Sequence, residues 1–232
     1  MTAFRSFVRN AALTALAAAS TFAPAHAELV LSDLVVELVP GKESRKDIEL
    51  WNDSDERSYV EISPAEIVNA GQPSESRRQL PDPEQLGLLV SPNRMILEPG
   101  QHKVIRIAAI APSADRERIY RITVKPVVGD ISGEQSGLKV LVGYDVLTMV
   151  RPANPAPRIV GSREGNTLVV RNEGNASAEL LNGKQCEAPG KSCSELPGKR
   201  LYAGAEWRLP LERSGPIEYS VKLGEKLSTV RF

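Results

Sequence analysis

Beyond residue 27, no stretch of this chain carries a 3.6-residue apolar stripe for more than two turns, which leaves little room for long helices. Short alternating runs occur instead. Leu34, Val36 and Leu38 alternate before the Pro40-Gly41 turn, and Ile48 and Leu50 alternate with charged residues before Asn52-Asp-Ser-Asp. Tyr59–Ile62, Gly87–Val90, Met95–Leu97, Val104–Ala109 and Ile119–Val124 continue the pattern. Glu98-Pro-Gly-Gln is a tight turn, because Pro fixes φ and Gly supplies a positive φ. Residues 69–87 are polar and aperiodic and read as a long loop or lid. Many short strands, with turn signals every eight to twelve residues, indicate antiparallel sandwiches or barrels.

The stretch 152–157 is Pro-Ala-Asn-Pro-Ala-Pro, a stiff break. Past it the runs shorten and the turns crowd: Arg-Glu-Gly-Asn at 163–166, Asn-Glu-Gly-Asn at 172–175, Asn182-Gly183 and Pro197-Gly198. The expected organisation is therefore a first domain over 28–151, a linker over 152–157 and a second domain over 158–232.

Residues 1–27 read as a secretory signal. Arg5 and Arg9 supply the positive start, Ala11–Ala23 the short apolar core, and Ala25-His26-Ala27 the cleavage site. That core is too short to span a bilayer, and no later segment has about 18 uninterrupted apolar residues, so no membrane anchor is expected. Removing Arg5 and Arg9 from the 29 basic residues leaves 27 against 29 acidic ones, a net charge near −2. No basic excess points to nucleic acid, and aromatics, at 5% of the chain, are too few for a stacking groove. Cys186 and Cys193 are an even, closely spaced pair in an exported chain and read as a disulfide. A redox pair would favour Cys-x-x-Cys, and a zinc site would need more ligands than His102, the one histidine left after cleavage.

Leu138, Val140, Val142 and Val146 alternate along a run that ends at Arg151-Pro152, so as a strand they share one face. A strand of that length ending at a domain boundary is suited to pairing with something outside its own domain. The bland reading is an ordinary sandwich strand.

Several pieces, in order, resemble the periplasmic pilus-assembly (PapD-like) chaperones. They are Val-Ser-Pro at 90–92, Leu-Glu-Pro-Gly-Gln at 97–101, Val-Ile-Arg-Ile at 104–107, Asp-Arg-Glu-Arg-Ile-Tyr at 115–120 and the strand ending at Arg151-Pro152. The second half is similar to one branch of that family in Asn-Gly-Lys-x-Cys and Leu-Pro-Gly-Lys-Arg-Leu-Tyr-Ala-Gly. The resemblance implies an all-β chain of two Ig-like sandwich domains in an L-shaped arrangement. It implies a non-enzymatic periplasmic chaperone that uses no cofactor, completes a pilin-like subunit by donor-strand complementation and passes it to an outer-membrane usher. By position, Leu138, Val140 and Val142 would enter the subunit groove, with Val146 a fourth or part of the domain's own core. Lys139 would guard the other face. Glu117 and Arg151 fall at positions linked to a salt bridge near the interdomain surface. Val36 and Leu147 stand where the family carries two basic residues that hold the subunit's terminal carboxylate, so neither anchor is assigned. The alternative of a different class is an exported two-domain structural or adhesive binding protein.

Chemistry of the enzymatic kind has no foothold in the sequence. There is no Gly-x-Ser-x-Gly, no His-Glu-x-x-His and no phosphate-cradling glycine loop. His102 sits beside Gln101 and Lys103 and reads as a solvated loop residue, and Trp51 and Trp207 as core or edge packing.

Overall fold

Alternation becomes strand along most of the chain. The computed structural model describes residues 28–127, 141–188 and 191–232. Its first half contains β1 (Leu29–Leu31), β2 (Val35–Leu38), β3 (Arg45–Asn52), β4 (Ser58–Val68), β5 (Ser76–Arg78), β6 (Leu88–Ser91), β7 (Arg94–Leu97), β8 (His102–Ala109), β9 (Arg118–Val127) and β10 (Tyr144–Val150). One sheet has the order β1-β3-β8-β6, and the sheet facing it has the order β2-β10-β9-β4-β5 with β7 also on β4. Every neighbouring pair in these sheets is antiparallel except β2 with β10. Ile48, Leu50, Ile105 and Ile107 from one sheet meet Val60, Ile62, Ile122 and Val124 from the other, each at most 2% exposed. The period-two pattern puts these residues on the inner faces and their charged neighbours outside.

The second half repeats the plan with β11 (Ile159–Glu164), β12 (Thr167–Asn172), β13 (Ala178–Ala188), β14 (Lys191–Leu196), β15 (Lys199–Leu201), β16 (Glu206–Pro210), β17 (Ile217–Leu223) and β18 (Lys226–Arg231). β11-β12-β16 form one sheet, and β14-β13-β17-β18, with β15 on β13, the other. Leu168, Val170, Leu180, Ile217 and Tyr219 fill the space between them. The fold is thus two Ig-like β-sandwiches. Cys186 and Cys193 face each other across β13 and β14 and are joined by a disulfide.

The ends of β3 and β12 are tied in the same way. Asn52, 1% exposed, donates from Nδ2 to the carbonyls of Glu56, Leu97 and Glu98. Asn172, also 1% exposed, donates to the carbonyls of Ala176 and Leu201 and accepts from the Arg158 and Gly174 amides. Each side chain satisfies backbone groups that the sheet leaves over at its turn.

Three expectations change. Residues 69–87 are not all loop: β5 pairs with the end of β4, and a helical turn α1 (Pro83–Leu86) follows. The side chain of Asp82 accepts from the Glu84 amide, Pro83 opens the turn, and Gly87 closes it at φ 77°. Asn182-Gly183 is not a turn but a bulge inside β13, where the register to β17 shifts between Leu181 and Lys184. Asn182 takes a positive φ, and a Cβ on Gly183 would stand 2.3 Å from the Tyr219 ring. His102 is not in a loop: it opens β8, exposed, with its ring stacked 6.2 Å from that of Trp51.

The side chain of Thr148 is fully buried, and among the described residues its hydroxyl has no hydrogen-bond partner. An unmade buried hydrogen bond costs more than an apolar group of the same shape. Thr148→Val is expected to stabilise the protein by about 1 kcal/mol, read as a higher urea midpoint at an unchanged m-value.

Candidate functional site

The first strand of the chain changes sheets. β1 pairs with β3 in one sheet, and β2 pairs with β10 in the other. The change occupies residues 32–34, where the Ser32 amide donates to the Glu49 carbonyl and the Leu147 amide donates to the Leu34 carbonyl. β2 therefore covers β10 only from Leu147 onward, in the register Leu147↔Val35 to Val150↔Leu38. Ahead of Leu147, the segment Tyr144–Val146 is paired with β9 on one side and, among the described residues, with no strand on the other. Upstream of it, Val142 is 56% exposed. An uncovered edge of this kind offers main-chain donors and acceptors to an added strand.

Of the residues expected to face a partner, Leu138 and Val140 lie outside the described residues, as does Lys139. For Val146 the reading as a fourth inserted residue is corrected and the alternative holds: it is fully buried in the first sandwich's own core, because the even-numbered face of β10 from Tyr144 to Val150 looks inward. From Leu147 on, the odd face is buried too. Leu147 and Met149 pack with Ala70 and Ile119, against Ile67 of β4 and against Tyr202 of the second sandwich's β15–β16 turn. β10 thus carries apolar residues on both faces, the mark of a strand covered on both sides. Val36 is likewise turned into the core. The residue beside Leu147 is Val35, which is 48% exposed.

Arg151, immediately after β10, has a side chain only 2% exposed. Its Nη1 lies 2.7 Å from Glu117 Oε2 and also donates to the Ser177 carbonyl and hydroxyl at 3.1 and 3.0 Å. Its Nη2 and Nε reach both carboxylate oxygens of Glu37 on β2, at 2.9 and 3.3 Å. The other oxygen of Glu117 accepts from the Ala203 amide, and the Glu117 amide donates to the Asn175 carbonyl. One guanidinium and one buried carboxylate so tie three segments of the first sandwich to two of the second. Bidentate arginine–carboxylate pairing and full use of the remaining donors are what make such burial tolerable.

Nearby, Glu66 on β4 accepts from Arg118 and Arg78. Burial pushes its carboxyl up, but the hydrogen bonds from Arg118 and then Arg78 outweigh burial and hold it below the ordinary glutamate value. Arg118 also donates to the Leu86 carbonyl, which the Tyr120 hydroxyl shares. No group of histidine, cysteine and acidic residues that could hold a metal ion occurs among the described residues. Among them, no helix is long and apolar enough to cross a membrane.

Sequence reasoning singled out neither Glu37 nor the pair Arg77 and Arg121, which line the cleft beside Leu147. Arg121 is the direct cross-strand partner of Leu147, a relation visible only once the register of β9 and β10 is known.

Two Ig-like sandwiches joined through a buried arginine, with a strand edge left open where the first strand switches sheets, define a narrow class of binding proteins. The chain belongs to the pili and flagellar-assembly chaperone family. Residues 29–156, more than half of its length, match the PapD N-terminal domain of that family. By membership, its role is that of a chaperone in pilus assembly. Among solved structures, the class 5 fimbriae chaperone CfaA superposes with a TM-score of 0.70 at 21% identity, covering 88% of this chain and 97% of that one. A chain of the Salmonella enterica SafA pilin–SafB chaperone complex gives 0.63 at 19% identity, over 90% of this chain and 98% of that one. The E. coli chaperone DraB gives 0.62 at 18%, over 88% and 96%. At these identities the likeness speaks for the fold. No curated protein sequence matches the chain.

Two outcomes are expected. Arg151→Met leaves Glu117 buried without its cation and should cost about 3–5 kcal/mol in urea unfolding, with Arg151→Met/Glu117→Leu recovering part of it. Because the folded Glu66 carboxyl is held below its unfolded value, its contribution is complete above that value and is lost as pH falls through the lower, folded one. Glu66→Gln should therefore flatten the fall in melting temperature between roughly pH 5 and pH 3.

Proposed function

We propose that this protein is a periplasmic chaperone that holds a pilin-type subunit by lending it a strand and delivers it to an outer-membrane usher. The lent strand is the run Leu138, Val140 and Val142 that leads into β10. The observation that carries this reading is the uncovered edge of β10 ahead of Leu147. A subunit lacking its own last strand has an open apolar groove and unpaired backbone groups. Main-chain bonds along the edge answer the latter, and alternate aliphatic side chains answer the former. Each inserted side chain contributes roughly 1.5–3 kcal/mol when fully buried. Val142, exposed at the mouth of β10, is the described member of that set.

Residues 1–27 are then the export signal and are removed. The boundaries follow as a subunit-holding domain over 28–151, a linker over 152–157 and a second domain over 158–232. No catalysis, cofactor or nucleotide is required, because exchange of the provisional strand for a better-fitting one drives release. Pilin partners fit the company of the solved relatives: one is the SafA–SafB complex, and another is a chaperone–tip adhesin complex of CFA/I fimbriae biogenesis.

The test is native mass spectrometry of the tagged mature protein taken from the periplasm of its own host. A one-to-one complex with a small exported subunit is expected, and it should disappear in Leu138→Glu/Val140→Glu. A monomer alone, or a complex indifferent to those substitutions, would remove the donor-strand reading.

A further inference from the structure

β9 runs on past the point where β10 begins. Lys125, Pro126 and Val127 stay paired with β4, whereas the pairing of β9 with β10 starts only at Tyr144, opposite Val124. The reason lies in Pro126. The Leu147 amide donates to the Leu34 carbonyl, so the backbone groups of odd-numbered residues in β10 face the β2 edge and those of even-numbered residues face β9. Tyr144 and Val124 are therefore a hydrogen-bonded pair, and the next such pair along the ladder would be Val142 with Pro126. Proline has no N–H to give the Val142 carbonyl. Between the two, the chain passes close over β9: a Cβ on Gly143 would stand 3.1 Å from the Val124 carbonyl oxygen and 3.2 Å from the Lys125 Cβ. The ladder ends at Tyr144.

The side chain of Tyr144 secures the same point from the opposite sheet. The Asp53 amide donates to the Glu28 carbonyl and the Ser32 amide to the Glu49 carbonyl, so alternate residues of this segment bond to β3 and the Leu29 carbonyl turns to the free edge of β1. Leu29 is 2% exposed, and a buried carbonyl left over in this way needs a partner from elsewhere. The Tyr144 hydroxyl donates to it at 2.5 Å, from a half-buried ring that packs against the core of the first sandwich. Tyr144 thus spans the open side of the sandwich, between the edge of β1 and the edge of β10. Two residues upstream, Val142 lies in no strand and is exposed.

We infer that Tyr144 is the positioning residue of the strand this protein lends. Its backbone is held by Val124 and its hydroxyl by Leu29, and together they fix where the chain leaves its own sandwich and which face it shows there. Side chains alternate along a strand, so an inward Tyr144 dictates the side taken by Val142 and by the alternating run that precedes it in sequence. Tyr144 also closes the lent set. The residue after Val142 on that face is committed to Leu29, so the partner's groove meets a valine at this end and never the tyrosine. That the departing strand enters a pilin-type subunit rests on the chaperone reading. The anchoring rests on the geometry of Tyr144, Leu29 and Pro126.

The test has two arms. The first uses the mature protein alone, with backbone order read from NMR relaxation. In wild type, Val142 and Gly143 are expected to be nearly as ordered as β10. Tyr144→Phe keeps the ring and loses the hydroxyl, and should loosen both residues while Leu147–Val150 stay as they are. Ile105→Val, a change in the same core that also lowers the melting temperature, should leave them ordered. Val142 already loose in wild type, indifferent to Tyr144→Phe, or loosened equally by Ile105→Val overturns the inference. The second arm takes the subunit recovered from the wild-type complex in the host periplasm, unfolds it and offers it to each purified protein. Tyr144→Phe is expected to hold it about five- to tenfold less tightly than wild type, the worth of one hydrogen bond, and Ile105→Val as tightly. Equal holding by wild type and Tyr144→Phe would sink the positioning role and leave the chaperone reading standing. A wild type that yields no subunit would sink the chaperone reading, and the first arm then decides the anchor by itself.

Discussion

The buried Arg151 guanidinium is the interaction on which the rest of the arrangement depends. It grips Glu37 on β2 with two hydrogen bonds, meets Glu117 just before β9, and crosses to Ser177 at the entry to β13. A guanidinium taken out of water is costly unless its donors find partners, and here both oxygens of Glu37, one of Glu117, and the carbonyl and hydroxyl of Ser177 supply them. The geometry is therefore demanding, and the demand is transmitted. Glu37 can be in place only if β2 lies parallel to β10, and Ser177 only if the second sandwich abuts the first.

The placement of β2 has a consequence at its other end. The chain has few residues between β1 and β2, and β1 belongs to the opposite sheet. Covering β10 from Leu147 to Val150 leaves none to cover it earlier. A sandwich normally hides such an edge, because unpaired backbone invites aggregation. Here the contacts that secure the joint between the sandwiches also set where the open edge begins. The same strand has its even face in one core and Leu147 and Met149 against Tyr202, so its position is fixed from both sides while, among the described residues, its edge ahead of Leu147 carries no strand.

The cleft beside that edge follows from register. Arg121 faces Leu147 and Ile119 faces Met149 because β9 and β10 are antiparallel neighbours with these residues paired. The boundary between apolar joint and polar cleft is one step of two residues along each strand.

Much of this architecture was legible in the sequence, and the reason is local. Alternation over four to eight residues, with Pro and Gly at the turns, is enough to specify strands. Ile48 and Leu50 read as sharing one face because they alternate with charged residues and a strand's faces follow directly from its period. The close Cys186–Cys193 pair and the absence of helical stripes were equally local signals, and a run of short motifs sufficed for the family resemblance. Signals failed where the chain's neighbours decide the outcome. Asn182-Gly183 has turn chemistry but bulges within β13, because Tyr219 across the sheet fills the space above the glycine. Val146 continues an alternating pattern, yet only the packing of two sheets shows that it faces their common core.

What the sequence determined by itself was the all-β character of the chain and the inner and outer faces of its alternating runs, since each depends on residues adjacent in the chain. What only the tertiary structure decided was which strands lie side by side: the sheet change at 32–34, the edge it leaves open, the union of Glu37, Glu117 and Ser177 around Arg151, and the meeting of Arg77 with Arg121. Those pairings join residues up to 114 positions apart. No local period encodes such a separation; it is settled by which packing buries the apolar faces while leaving every buried charge with a partner.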